Sequence, residues 1–173
     1  MNFNTPFLPL QLPIYKLRTY LFVVLFVLGN LLLPQLTHLI PKGGLIFLPI
    51  YFFTLIAAYK FGLNVGLFTA LFSPLANSLL FGMPPMAVVP IILIKSGLLA
   101  VIASFIAGRY KKISILHLLI VVLAYQLIGS LAEWTITQST DSALQDFTRG
   151  IPGMLIQLFG GFIILKKLAA YGN

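Results

Sequence analysis

Few residues in this sequence can do chemistry, because its 173 residues include only three acids, two histidines and no cysteine. Lys95 stands out among them. It lies inside the apolar run that begins at Met86, roughly 14 Å deep at the helical rise per residue. Inserting a lysine at such a depth costs about 2.5–3.5 kcal/mol, so a lysine kept there needs a use. One use is a cationic anchor for a carboxylate, phosphate or carbonyl of a ligand. The other is a structural pair with Glu133, reached by snorkelling toward the surface. Glu133 is the only acid inside a predicted span, and it suits either a cationic ligand or the neutralisation of Lys95. Trp134, next in sequence, reads as a ligand-stacking ring or as an interfacial anchor. Tyr125 and Gln126 lie near the depth of Lys95, where they could hydrogen-bond a heterocycle or a neighbouring helix. Asn77 shares a helical face with Ser73 and flanks Pro74, whose missing N–H frees a backbone carbonyl. Lys95, Asn77, Tyr125, Gln126, Glu133 and Trp134 are therefore the candidate ligand-binding residues.

Other chemistries find no support. His38 and His117 fall near opposite ends of their helices, on opposite sides of the membrane, and cannot share a metal. Three acids and two histidines assemble no Ser-His-Asp set, metal-ligand pair, phosphate-cradling loop or close carboxylate pair. The reading is accordingly of no enzyme, no metal and no cofactor. Zero cysteines also remove disulfides, iron–sulfur clusters and thiolate sites. Asp141, Asp146 and Arg149 sit in a polar stretch, Thr135 to Arg149, and form either a solvated loop or part of a lid.

The elements that must position these residues follow from composition. Apolar residues make up 60% of the chain and charged ones 8%, against roughly a quarter charged in soluble domains, which excludes a soluble fold. The apolar runs are continuous on all faces rather than alternating, which favours helices over a membrane barrel. We expect an all-α integral membrane protein, a six-transmembrane-helix bundle forming a single transmembrane domain over residues 1–173. Its spans fall at approximately 20–38, 45–59, 63–81, 86–107, 115–134 and 151–165, separated by breakers such as Pro41-Lys42-Gly43-Gly44 and Gly82-Met83-Pro84-Pro85. Pro6, Pro9 and Pro13 interrupt the opening stretch, so no cleavable signal is expected and Met1 to Tyr15 should lie along the membrane surface.

Six crossings gather Lys16, Arg18, Lys60, Arg109, Lys111, Lys112, Lys166 and Lys167 on one side and leave Lys42 and Arg149 on the other. The positive-inside rule then puts both termini in the cytoplasm, as a multi-pass protein of a prokaryotic cytoplasmic membrane. The net charge of +8 comes from cations at helix ends, where they meet lipid headgroups, and does not point to nucleic acid. With that orientation Asn30, Asn77, Lys95, Tyr125, Gln126, Glu133, Trp134 and Gln157 all fall between the midplane and the outer surface. Polar glue between helices would be scattered through both halves, so the asymmetry points to an outward-facing pocket. A channel needs polar groups along its whole path; this chain reads as a binder that something else must serve. Small residues form stripes at Gly62, Gly66 and Ala70, and at Gly97, Ala100, Ala103 and Ala107. Such stripes suit close helix packing or a partner helix.

The stretch Phe47-Leu48-Pro49, Tyr59-Lys60-Phe61-Gly62-Leu63-Asn64-Val65-Gly66, then Ser73-Pro74-Leu75-Ala76-Asn77 and Gly82-Met83-Pro84-Pro85, resembles the second–third helix connection, the third helix and the outer third–fourth loop of the S components of energy-coupling factor (ECF) transporters. The resemblance spans most of the chain. It implies uptake of a vitamin or related micronutrient, held near the outer surface under loops between helices. It also implies partners, a transmembrane coupling protein and ATPase subunits, and release after the subunit topples in the membrane. Tyr20 to Leu33 departs from the family's alanine-spaced docking motif, with Gly29 its only small residue. A non-transporting scaffold resembling MreD is the alternative from another class, and it needs neither a buried lysine nor an outer polar pocket.

Overall fold

The computed structural model describes residues 5–170; the chain ends, expected in the cytoplasm from the charge pattern, lie outside them. Among the described residues the protein is helical apart from one short antiparallel ladder, Thr5–Pro6 (β1) against Lys112–Ile113 (β2). Five helices are long and apolar enough to cross a membrane: Leu17–Thr37, Leu63–Phe81, Met86–Tyr110, Ile115–Thr137 and Ile151–Ala169. This fits a multi-pass membrane protein. On Leu17–Thr37 (α1) the leucines at 21, 25, 32 and 36 are 59–66% exposed. A soluble helix would carry charge on that outward face; here it is apolar, as contact with lipid requires.

The expected second span, 45–59, is not one helix. It is divided into Gly43–Phe47 (α2) and a short turn, Pro49–Tyr51, that continues as Phe52–Phe61 (α3). Leu48 between them is left-handed, at φ 46° and ψ 46°. Pro49 contributes to the break, because its ring disfavours the right-handed helix at the residue before it. Pro49–Phe61 is only about 20 Å long at the helical rise, short of a bilayer core of about 30 Å.

Leu63–Phe81 (α4), Val89–Tyr110 (α5) and Ile115–Thr137 (α6) follow the expected spans with modest extensions. The polar stretch expected as a loop contains a helix, Thr140–Thr148 (α7). Ser139 starts it, its hydroxyl accepting a hydrogen bond from the Ser142 N–H at 3.3 Å, the expected chemistry of a helix N-cap. The last apolar run is Ile151–Leu155 (α8), a wider π turn at Ile156–Gly160, and Gly161–Ala170 (α9).

Small residues bring the helices together. A side chain at Gly66 would meet Ala58 of α3 at 2.5 Å and Ala100 of α5 at 3.3 Å, and Ala100, Ala103 and Ala107 are fully buried. Gly66, Ala100, Ala103 and Ala107 are thus spent on packing within the bundle, whereas a side chain at Gly97 would meet nothing within 4 Å. Around them lie Leu55, Leu99, Leu118, Val121 and Leu165, also without exposure.

One end of the bundle is closed by the segment that follows β1. The Phe7 N–H donates to the Lys111 carbonyl at 3.0 Å, the Leu10 N–H to the Lys60 carbonyl at 2.7 Å and the Leu12 N–H to the Phe61 carbonyl at 3.3 Å. Asn64 Nδ2 donates to the Leu12 carbonyl at 2.9 Å, and Tyr59 reaches across to the Lys112 carbonyl at 2.6 Å. Phe7 is buried against the Tyr59 ring, 5.6 Å between centroids, with Lys60 Nζ 4.7 Å above the Phe7 ring. The segment is a strap across the α3–α4 and α5–α6 connections.

Gly62 permits that strap. Its φ of +91° with ψ of 179° is open almost only to glycine, and a side chain there would stand 2.8 Å from Gln11 Oε1. Gly62→Ala should therefore cost about 1–3 kcal/mol and free the strap. Thermal melts in detergent would show the loss, and limited proteolysis would show new cleavage before Leu17.

Candidate ligand-binding site

The polar machinery gathers at the end opposite the strap. Lys95 from α5 meets Glu133 from α6 and Asp146 from α7, with Nζ 2.6 Å from Glu133 Oε2 and 2.8 Å from Asp146 Oδ2. All three side chains are less than a tenth exposed. Gly129 makes the meeting possible: a side chain there would lie 2.6 Å from Lys95 Cγ, so the lysine stem runs over the bare backbone of α6 to reach Glu133 one turn further on. Each ion is stripped of water, and only its partners offset that cost. Asp146 thereby fixes α7 over α5 and α6.

Deeper on α6 by about two turns is a neutral network. The Tyr125 hydroxyl donates to Gln157 Oε1 at 2.9 Å and accepts from Gln126 Nε2 at 3.0 Å, all three residues fully buried. The wider π turn carries Gln157, and such turns recur where a helix must aim one polar side chain. The Tyr51 ring packs 5.5 Å from that of Tyr125.

A second network joins α1, α3 and α4. Asn30 Nδ2 donates to Thr54 Oγ1 and to Ser73 Oγ, both at 3.1 Å, while its Oδ1 accepts from the Phe53 N–H at 3.2 Å. Asn77 Nδ2 donates to the carbonyls of Asn30, at 2.8 Å, and Ser73, at 3.0 Å. Both of its neighbours are acceptors, which fixes the amide orientation and turns Oδ1 away from them. That oxygen is buried without a protein partner.

Asn77 lines a cavity of about 610 Å³, walled by the α1–α2 turn, α2, the end of α4 and the start of α5. A smaller cavity of about 130 Å³ is lined by Lys95, Glu133, Asp146 and Tyr51. The two adjoin, since Ile50, Ile92 and Gln145 line both. The larger volume is in the range of small-molecule sites, roughly 300–1,000 Å³.

The six candidate residues divide. Lys95 and Glu133 come together and line the smaller cavity, and Asn77 lines the larger. Tyr125 and Gln126 form the deeper network and line neither cavity. Trp134 departs from the expectation: it is 45% exposed and lines neither cavity, because one residue along a helix is about 100° around its axis. Lys95 takes the second of its two expected uses, a pair with Glu133 to which Asp146 is added, so its amine is not an open anchor for an anion. Asp146, expected in a solvated loop or a lid, belongs to the centre; its signal was scarcity, as one of three acids in the chain. Tyr51 and Gln145 carried no comparable signal. Comparison with family models, curated proteins and solved structures finds no match for this chain.

Removing one partner of a buried charge cluster leaves the others uncompensated. Lys95→Ala, which strands two carboxylates, should destabilise the protein by about 3–5 kcal/mol. Asp146→Asn, which leaves the Lys95–Glu133 pair, should cost clearly less. Unfolding in mixed micelles would rank the two.

Proposed function

We propose that this chain is the substrate-capturing membrane subunit of an uptake transporter, holding a vitamin-sized molecule in the joined cavities. One observation carries the reading: the cavities and the buried ions share one end of the bundle, while the other end is strapped shut. In this reading Pro49–Phe61, with α2, completes a sixth crossing. The cavities then face outward and both termini the cytoplasm, with the cation-rich end inside as the positive-inside rule asks. The resemblance to ECF S components agrees with it and supplies the rest of the assembly, a transmembrane coupling protein and ATPase subunits that drive release. A scaffold like MreD has no use for an organised cavity of about 610 Å³.

Two measurements test the reading. Native mass spectrometry of protein purified in mild detergent from cells grown in rich medium should find a stoichiometric small molecule. Ile92→Trp, which fills the junction of the two cavities, should abolish it. An empty protein that co-purifies with cell-wall or shape-determining proteins would transfer the case to the scaffold.

Orientation has its own test, made simple by the absence of native cysteine. On intact cells a membrane-impermeant maleimide should label Arg149→Cys and should reach Arg109→Cys only after lysis. The opposite pattern would invert the protein.

A further inference from the structure

The ion cluster is unbalanced. Lys95 contributes one positive charge, Glu133 and Asp146 two negative ones, and among the described residues no second cation pairs with either acid. A net negative charge under a tenth exposed, inside an apolar bundle, is costly unless a cation joins it. The cluster also forms a wall of a cavity rather than a closed core. A second, independent observation concerns Asn77, which is fully buried and lines the adjoining cavity. Its free atom is the acceptor Oδ1. Both unsatisfied features therefore ask for the same things from an occupant, positive charge and hydrogen-bond donors. Apart from His38, Lys42 and Gln145, the remaining walls, including Pro34, Leu45, Pro49, Val88 and Ile92, are apolar. Lys42 also lines the larger cavity, but it is exposed to water, where its pull on an anion is screened.

We propose that the joined cavities bind a small organic cation, a protonated amine or cationic heterocycle on an apolar body. Its positive end sits against Glu133 and Asp146, and Asn77 Oδ1 accepts one of its N–H groups. This deepens the capture reading and rests on it, by naming the class of molecule captured. The Lys95 amine fixes both carboxylates in place beforehand, so the site is organised before the ligand arrives.

The test is equilibrium binding of three matched indoles to the purified chain in nanodiscs, by calorimetry with empty nanodiscs subtracted. Tryptamine is a cation at neutral pH, tryptophol its neutral alcohol and indole-3-acetate an anion. Tryptamine should bind about tenfold or more tighter than tryptophol, the gain expected of one charge-assisted hydrogen bond, and indole-3-acetate should bind weakest. Glu133→Gln and Asp146→Asn each remove the net charge and should bring the tryptamine preference down to about threefold or less. A wild-type ratio near one, a preference for the anion, saturation by none of the three at millimolar concentration, or a preference that survives in both folded variants would overturn the proposal. The wild-type ratio decides even where a variant fails to fold. A neutral or anionic molecule in the native mass spectrum would sink the cation proposal and leave the capture reading standing. A protein that is empty there and binds none of the indoles would sink both.

Discussion

Everything at the cavity end depends on a lysine that is almost wholly buried. An amine buried in an apolar bundle must find its counter-charges in the protein, and Lys95 finds them on two other helices. That requirement dictates how α5, α6 and α7 meet. It calls for a glycine at position 129, where the lysine stem passes against the α6 backbone. It draws down a polar segment that would otherwise be left in solvent, because Asp146 is useful only with α7 folded over the bundle. The helix is short and mostly polar, and its own propensity would hold it poorly.

The opposite end is organised by different physics. The strap satisfies backbone groups at the connections, where helix termini leave donors and acceptors without partners, and Phe7 fills the space beneath Tyr59 and Lys60. One end is thus sealed by backbone hydrogen bonds and an aromatic plug, the other held around space by ions. Packing of small residues on α3, α4 and α5 keeps the two ends in register, since Gly66, Ala58 and Ala100 allow no slack between their helices.

How much of this was legible in the sequence depends on whether the signal was local. The apolar runs were, because length and continuity alone separate a membrane helix from a soluble one, and the five long helices lie where expected. Scarcity made Lys95 and Glu133 legible, and helical spacing put Ser73 and Asn77 on one face, where Asn77 indeed donates to the Ser73 carbonyl. The break at Leu48 was not legible even with Pro49 beside it, because an unbroken apolar run of that length has the signature of a single span. Trp134 misled through adjacency, since a neighbour in sequence is a quarter-turn away in space. The third partner of Lys95 was hidden for a more basic reason. Asp146 is separated from it by 51 positions, and no periodicity links a polar hairpin to a lysine in another helix.

The middle of the bundle bears on how a captured molecule would leave. Between the Tyr125–Gln157 pair and the strap, α3, α5, α6 and α9 contribute Leu55, Ala58, Leu99, Ala103, Leu118, Val121 and Leu165, all buried. A polar or charged ligand crossing that layer would shed its partners and find little beyond the Thr69 and Ser104 hydroxyls in exchange, at a cost of several kcal/mol. Side-chain motion does not remove such a barrier, because the layer is close-packed and its helices are joined through small residues with no room to part. On the capture reading, then, transport through the body of this chain is the costly route. Movement of the whole subunit relative to the membrane, driven by a partner that holds the energy source, avoids it. On that reading, the same apolar layer that closes the cavity from below is the reason a separate motor would be needed.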